Sequence, residues 1–311
     1  MTARPSASTT VTPEHAGSGI LLLDKPAGLS SNAALQQVRR LLGSPRAGHV
    51  GSLDPLATGM LPICLGEATK LAGEVVSGRK RYRFTVALGV RTTTGDSEGA
   101  VLETGVVPPL TEAQIAAVLA RFTGRQRQIP PMFSAIKHGG RPLYLLARAG
   151  LHVERQAREI EIDELICHSF GLSALELETL CSKGTYVRSL AEDVARALGT
   201  CGHVTQLRRL YVEPFVNEPM ETLDAIREAV AAGRLPRILP ADHGVLHLRA
   251  VRLSAQAALR VSQGQSVPDP DAGLPGRVRL YDEAGRFFGL GEVNDRGAVR
   301  PRRLFVMSRA G

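Results

Sequence analysis

The chain changes texture at about Val245, and that break constrains its folding more than any single motif. Before it, short apolar or alternating runs that suit strands are interleaved with stretches whose apolar residues recur at helical spacing. After it, RVRLYDEAGRFFGLGEVNDRGAVRPRRLFV carries short alternating runs separated by Glu-Ala-Gly and Asp-Arg-Gly turns, the pattern of a small all-β module. At 311 residues the chain can hold one large mixed unit and an appended small one. In the larger part, GILLLDKPAG predicts a strand from Gly19 that ends in a Lys-Pro-Ala-Gly turn, and SSNAALQQVRRLLG predicts a helix capped by Ser or Asn and stopped at Gly43. MLPICLG reads as a buried strand, EATKLAGEVVSG as a short helix, and KRYRFTVALG as a half-buried strand of period two. TEAQIAAVLARFT reads as an amphipathic helix with a threonine cap. Strands follow at REIEIDELICHSF and ALELETLCSKGTYVRSL, with helices at SLAEDVARALG and near TLDAIREAVAAG. Between them RQRQIPPMFSAIKHGGRPLYLLARAG breaks the rhythm, mixing basic residues, prolines, paired glycines and aromatics as an exposed basic excursion would.

Charge narrows the class of partner. The 38 basic against 30 acidic residues leave +8, which favours a polyanion such as nucleic acid, a generic basic surface being the alternative. Cys64, Cys167, Cys181 and Cys201 form no Cys-x-x-Cys pair and read as free thiols in a reducing compartment, not as a disulfide framework or zinc site. No run has the length of a membrane span, and the first 18 residues lack the apolar stretch of a secretory signal. Residues 1–18 read as a disordered tail, and the whole as a cytoplasmic protein with no membrane partner.

The residue that stands out chemically is Asp54, alone among small and apolar neighbours in AGHVGSLDPLATGMLP. Two readings follow from the residues. Asp-Pro can be a turn initiator whose carboxylate caps a local amide. Alternatively the carboxylate sits in a partly apolar pocket, where desolvation raises its pKa unless a cation offsets it, and an ionised carboxylate held there is a usable nucleophile. Pro55 restrains Asp54 to an extended backbone in either case. His49 lacks other ligands at metal-binding spacing, so no metal site is expected.

The stretch GHVGSLDPLATGMLPICLGEATK resembles the signature of the TruB family of tRNA pseudouridine synthases. LLLDKPAGLSSNAAL, KRYRFTVALGVRTTTGD, PPMFSAIKHGGRPLYLLARAG, CSKGTYVRSLAEDVARALG and HVTQLRRLYV are similar to further motifs of that family, in the same order. The resemblance is strong from Gly19 to Val212 and looser in the C-terminal part. It implies a mixed α+β pseudouridine synthase fold over residues 19–245, with a central mixed β-sheet flanked by helices and loops. An RNA-gripping insertion is expected at about 128–155, and a small PUA-like β-barrel over 246–311. The implied activity is isomerisation of uridine 55 in the T-loop of tRNA, flipped out of its stack, by a monomeric enzyme that needs neither cofactor nor metal.

By the same resemblance Asp54 is the catalytic aspartate, attacking either C6 of the base or the anomeric carbon. Tyr82 is the tyrosine that stacks on the extruded base and is suggested for proton transfer, and Arg188 is the arginine that pairs with the nucleophile. Tyr186 and Leu207 line the pocket, and Tyr186 would point the same way as Arg188 if that segment is extended. Lys25, with Pro26, shapes the pocket wall, a surface charge being the alternative, and His49 inserts into the T-loop. In the insertion, Lys137, Arg141 and Arg148 contact phosphates beside Phe133 and Tyr144, with Phe133 standing where a tyrosine is expected. Three rivals are weighed: a guide-RNA-directed synthase subunit, which the insertion argues against; a tRNA-folding chaperone; and a hydrolase using Asp54 with His49, which lacks an oxyanion-hole pattern.

Overall fold

In the computed structural model, which describes residues 18–75 and 77–306, strand β1 (Gly19–Lys25) lies inside a ten-stranded mixed sheet. All of the expected N-terminal tail except Ser18 falls outside the described residues. The sheet runs β13 (Glu221–Thr222), β1, β3 (Thr58–Leu65), β12 (Gly202–Val212), β4 (Lys80–Leu88), β11 (Ala174–Cys181), β10 (Arg158–Phe170) and β7 (Gly124–Gln128). Two short strands extend it: β2 (Ala47–His49) pairs with β3, and β14 (Leu239–Pro240) with β1. The β1–β13 and β3–β12 pairs are parallel and the others antiparallel, so the sheet is mixed as expected.

The period-two run of β4 buries Tyr82, Phe84, Val86 and Leu88 on one face and leaves Arg81 and Arg83 on the other. Three helices cover the apolar face: α1 (Ser31–Leu42), α3 (Glu112–Arg121) and α5 (Val187–Ala197), which bring Val38, Ile115 and Val194 into one core with Phe84. Each such fully buried side chain contributes about 1.5–3 kcal/mol. Their ends are locally encoded. Ser30 Oγ accepts the Ala33 N–H at 3.1 Å, and Gly43 closes α1 in the left-handed region at φ 58°. Thr111 and Gln114 form a capping box on α3. Between them run α2 (Ala72–Val75) and the hairpin β5 (Val90–Thr92) to β6 (Val101–Thr104). The expected excursion contains a two-residue hairpin, β8 (Lys137–His138) with β9 (Arg141–Pro142), and the one-and-a-half-turn helix α4 (Leu143–Arg148).

Helix α6 (Leu223–Ala231) leads toward the C-terminal module, a curled five-stranded half-barrel ordered β15 (Arg249–Arg252), β17 (Gly276–Tyr281), β18 (Phe287–Val293), β19 (Ala298–Leu304), β16 (Val267–Pro268). It has its own core around Val261, Leu280 and Phe288, and it docks on the large unit. Tyr281 donates to Asp242 at 2.5 Å, Lys70 to the Leu304 carbonyl at 2.6 Å, and Arg277 pairs with Glu74.

One local expectation is corrected, and two strands have no counterpart in the sequence reading. The module is not all β: Ser254 caps helix α7 (Ala255–Ser262), whose Ala258 and Val261 face its core. Its composition, three alanines with a leucine, a glutamine and an arginine, is that of a good helix former, short enough to hide among alternating runs. The loop that carries Asp54 begins as strand, since Ala47–His49 pairs with β3. HVTQLRRLYV, for which no element is expected, is the central strand β12.

Candidate active site

Asp54 sits in the loop between β2 and β3, and the loop is fastened on both sides of it. Ser31 Oγ, at the start of α1, accepts the Leu53 N–H at 2.7 Å and donates to the Leu53 carbonyl at 3.0 Å. On the other side the Pro55 carbonyl accepts from the Gly28 N–H at 2.8 Å and from Lys25 Nζ at 3.2 Å. Lys25 is the last residue of β1, in step with Leu21 and Leu23, so the strand that fills the core also delivers a cation to the site. Its ammonium further donates to the carbonyls of Pro26 at 2.8 Å and Leu29 at 2.6 Å. Lys25 is fully buried, which rules out the surface-charge alternative, and burial draws its pKa down to about 8.

The carboxylate of Asp54 meets Arg188 directly, Nε to Oδ2 at 2.8 Å and Nη2 to Oδ1 at 3.1 Å, a two-point fork. Arg188 is 4% exposed although it lies in the first turn of α5, so it is not solvated. The rest of its guanidinium is also held: Nη1 donates to the Thr94 carbonyl at 2.6 Å, Nη2 to the Phe133 carbonyl at 2.8 Å, and Asp96 lies 3.7 Å from Nε. Asp54 keeps about a third of its side chain open, 36%, so it is reachable from the surface and not sealed in the core. Burial raises the Asp54 carboxyl above the usual carboxylate range, and the Arg188 charge and hydrogen bond oppose that rise.

Tyr82, Tyr186, Lys25 and Glu98 also lie within electrostatic reach of this carboxylate. Tyr82 stands opposite Arg209 across the β4–β12 pair, with Leu207 opposite Phe84 two residues along, so Tyr82 and Leu207 border one face beside the loop. Burial pushes the Tyr82 phenol upward, which keeps it neutral and a hydrogen-bond donor near pH 7. Tyr186 is the cap residue of α5, and helix begins at Val187, so the extended geometry considered for Tyr186 and Arg188 is not adopted. It nevertheless lies within electrostatic reach of both Arg188 and Asp54. His49, on β2, is half-buried against the charge of Arg209, and burial lowers its pKa.

Lys137, Arg141 and Arg148 are exposed on the β8–β9 hairpin and α4, away from the carboxylate. None of the three has a carboxylate partner among the described residues, and Arg148 lies 5.7 Å from the Tyr144 ring centre. The base of this insertion is wired to the site. The Gln128 side chain donates to the Tyr186 carbonyl at 3.1 Å and accepts the Tyr186 N–H at 2.8 Å. Ser189 Oγ donates to the Ile129 carbonyl at 3.3 Å.

Sequence reasoning missed Arg209, Asp96 and Gln128, all buried here. A signal existed for Arg209, which keeps step with Leu207 along one strand face. None existed for Gln128, whose partner is 58 positions away. Among the described residues no three His, Cys, Asp or Glu side chains converge to hold a metal ion, and no helix is long and apolar enough to cross a membrane.

The site is thus a clamped carboxylate with two tyrosines within electrostatic reach, set on a mixed sheet that is followed by a curled C-terminal half-barrel. The fold matches the solved Cbf5-Nop10-Gar1 complex with a TM-score of 0.71 at 23% identity, over 93% of this chain and 85% of that one. It also matches the archaeal box H/ACA sRNP Nop10-Cbf5 complex with a TM-score of 0.71 at 22% identity, over 98% and 94%. The N-terminal domain of TruB family pseudouridylate synthases matches residues 39–187, the tRNA pseudouridylate synthase B C-terminal domain residues 188–246, and the C-terminal domain of pseudouridine synthase II TruB residues 250–305. The chain is 49% identical to the tRNA pseudouridine synthase B of Chromohalobacter salexigens over 92% of its length and 94% of the relative's. It is 47% identical to that of Nitrosococcus oceani, over 94% and 96%. The chain belongs to the TruB family, and is therefore an isomerase.

Proposed function

We propose that the chain converts uridine to pseudouridine in tRNA, at position 55 of the T-loop, with Asp54 as the nucleophile. The observation that carries this reading is the fork of Arg188 on Asp54 beside Tyr82. A guanidinium stays charged in a water-poor cleft, so it keeps the carboxylate available for attack where desolvation alone would protonate it. Attack at C6 or at the anomeric carbon makes a carboxylate–carbon bond that breaks again to free Asp54, and either route leads to the same exchange. The N1–C1′ bond breaks, the base turns, C5–C1′ forms, and the proton leaving C5 is balanced by one gained at N1. The exchange is redox-neutral and internal to the nucleotide, so it calls for no oxidant, cofactor or energy source. Tyr82 and Leu207 offer a flat wall to a flipped base, and Tyr186 and Lys25 bound the cleft. A uridine inside a folded loop has to be unstacked at about a few kcal/mol, offset by phosphate contacts of Lys137, Arg141 and Arg148 and by insertion of His49. The enzyme acts as a monomer in the cytoplasm.

The test is a guide-free tRNA transcript treated with pure protein and mapped for pseudouridine. Wild-type protein modifies the T-loop uridine alone. Asp54→Asn forms no pseudouridine and binds the transcript as before. Modification by Asp54→Asn, or dependence of the wild type on a guide RNA, would sink the reading.

A further inference from the structure

Arg209 is fully buried, and among the described residues no carboxylate pairs with it. A guanidinium stripped of water without a counter-ion is costly, on the order of several kcal/mol, unless its N–H groups are all answered. Here backbone carbonyls answer three of the five, at least one on each nitrogen. Nε donates to Met60 at 2.7 Å, Nη2 to Gly51 at 2.9 Å, and Nη1 reaches Ser52 at 3.5 Å. Gly51 and Ser52 precede Asp54 by three and two positions, and Met60 lies on β3 just after the loop, so one side chain grips both ends of the segment that carries the carboxylate.

The neighbouring glycines fit this grip. Gly59 pairs with Arg209 in the β3–β12 register at φ 97°, and a Cβ there would fall 2.2 Å from the Arg209 carbonyl oxygen. Gly51, at φ 67°, leaves 3.3 Å between an added Cβ and Arg209 Nη1. Across the other edge of β12, Arg209 stands opposite Tyr82. We propose that Arg209 is a positioning residue that fixes where the Asp54 loop lies relative to Tyr82, without itself touching substrate. The proposal rests on the nucleophile role given to Asp54 above.

The test compares single-turnover rates at saturating tRNA transcript with tRNA affinity, for folded protein of each variant. Arg209→Lys keeps a buried cation and loses the fork. It is expected to unfold cooperatively, to bind tRNA within about threefold of wild type, and to turn over about 10²-fold more slowly, the scale of a 1 Å misplacement. Arg209→Gln, which loses the charge as well, falls further. Gly51→Ala leaves the arginine in place but sets a Cβ 3.3 Å from its Nη1 on a backbone strained at φ 67°, and it shows the same split, a lower rate at unchanged affinity. It decides the matter if the Arg209 variants do not fold. A wild-type rate per folded molecule in Arg209→Lys or in Gly51→Ala, or a loss confined to affinity, overturns the proposal. Asp54→Asn is run in parallel. If it is active, the nucleophile reading fails. If it is dead while Arg209→Lys is fully active, only the positioning role fails.

Discussion

The two faces of the central sheet use arginine in opposite ways. On the outer face Arg79, Arg81 and Arg83 form a cross-strand ladder with Glu161, Asp163, Glu164 and Glu178, partly open to water. On the inner face Arg188 holds the Asp54 carboxylate, and among the described residues Arg209 pairs with no carboxylate and donates to backbone carbonyls. The outer arginines arrive already neutralised, so they tie β4 to β10 and β11 and leave little field for a polyanion. The inner ones meet groups that a reaction can use or that position such groups. Arginine count therefore says little about function in this chain, and the state of pairing says much.

The largest effect expected from this contrast is at Arg188. Arg188→Gln leaves the burial of Asp54 and removes its counter-charge, and the rate of pseudouridine formation falls about 10³-fold at saturating tRNA. The pH profile gives the sign. With Asp54 as the proposed nucleophile the reacting form is the carboxylate, so activity is lost as pH falls through its folded pKa, which burial places above the ordinary 3.8. With Arg188 gone, nothing opposes burial as strongly, and the acid limb of the residual rate moves to higher pH. An acid limb that stays put would mean that Arg188 does not hold the charge of Asp54.

On the outer face the expected change is in stability. Glu178 is 8% exposed and accepts from Arg81 at 2.6 Å and from Arg83 at 2.9 Å, with His168 at 3.0 Å. Glu178→Gln leaves two arginines short of a partner and costs about 2 kcal/mol, read by denaturant unfolding, while the rate per folded molecule stays at wild type. The hydrogen bonds from Arg81, Arg83 and His168 draw the Glu178 pKa below the ordinary 4.5 against the effect of burial. A lowered acid pKa stabilises the fold at neutral pH and ceases to do so as pH falls through it, so the gap between wild type and variant closes in acid. A loss of activity without a loss of stability would erase the contrast between the faces.

Legibility follows the same division. Elements with a local signal are readable in the sequence: the Ser30 and Gly43 ends of α1, the Thr111 box of α3, the alternation of β4. Strand β12 is not, because Arg209 interrupts its apolar face and its partners β3 and β4 lie far away in sequence. The site is harder still. Asp54 and Arg188 meet across 134 positions, a pairing no periodicity encodes, and only the ordered motifs of a family resemblance named both residues. Arg209 and Gln128 act through backbone carbonyls and amides, which carry no residue-type signature.

A third use of basic residues lies in the β8–β9 hairpin and α4, where Lys137, Arg141 and Arg148 stand exposed with no carboxylate partner among the described residues. If these meet phosphates, each change to Ala weakens tRNA binding by about three- to tenfold at low salt. Each also lowers the slope of log affinity against log salt by about one unit. The single-turnover rate at saturation stays unchanged. Equal losses with and without salt would point to packing in place of charge.

The smallest effect is expected in the RPRRLFV stretch of the half-barrel, the part of the C-terminal module whose sequence most suggests RNA contact. Arg300 and Arg302 both pair with Glu292, at 2.6 and 2.5 Å, so this stretch resembles the outer ladder more than the insertion. An arginine that leaves its carboxylate for a phosphate strands that carboxylate beside the same phosphate, and the exchange gains little. Arg302→Gln accordingly changes tRNA affinity by less than about twofold and leaves the salt slope where it was. Glu292→Gln frees both arginines and tightens binding by a similar small factor. If Arg302→Gln instead costs as much as Lys137→Ala, pairing in the free protein does not predict which arginines serve the RNA, and the contrast between the sheet faces loses its meaning for binding.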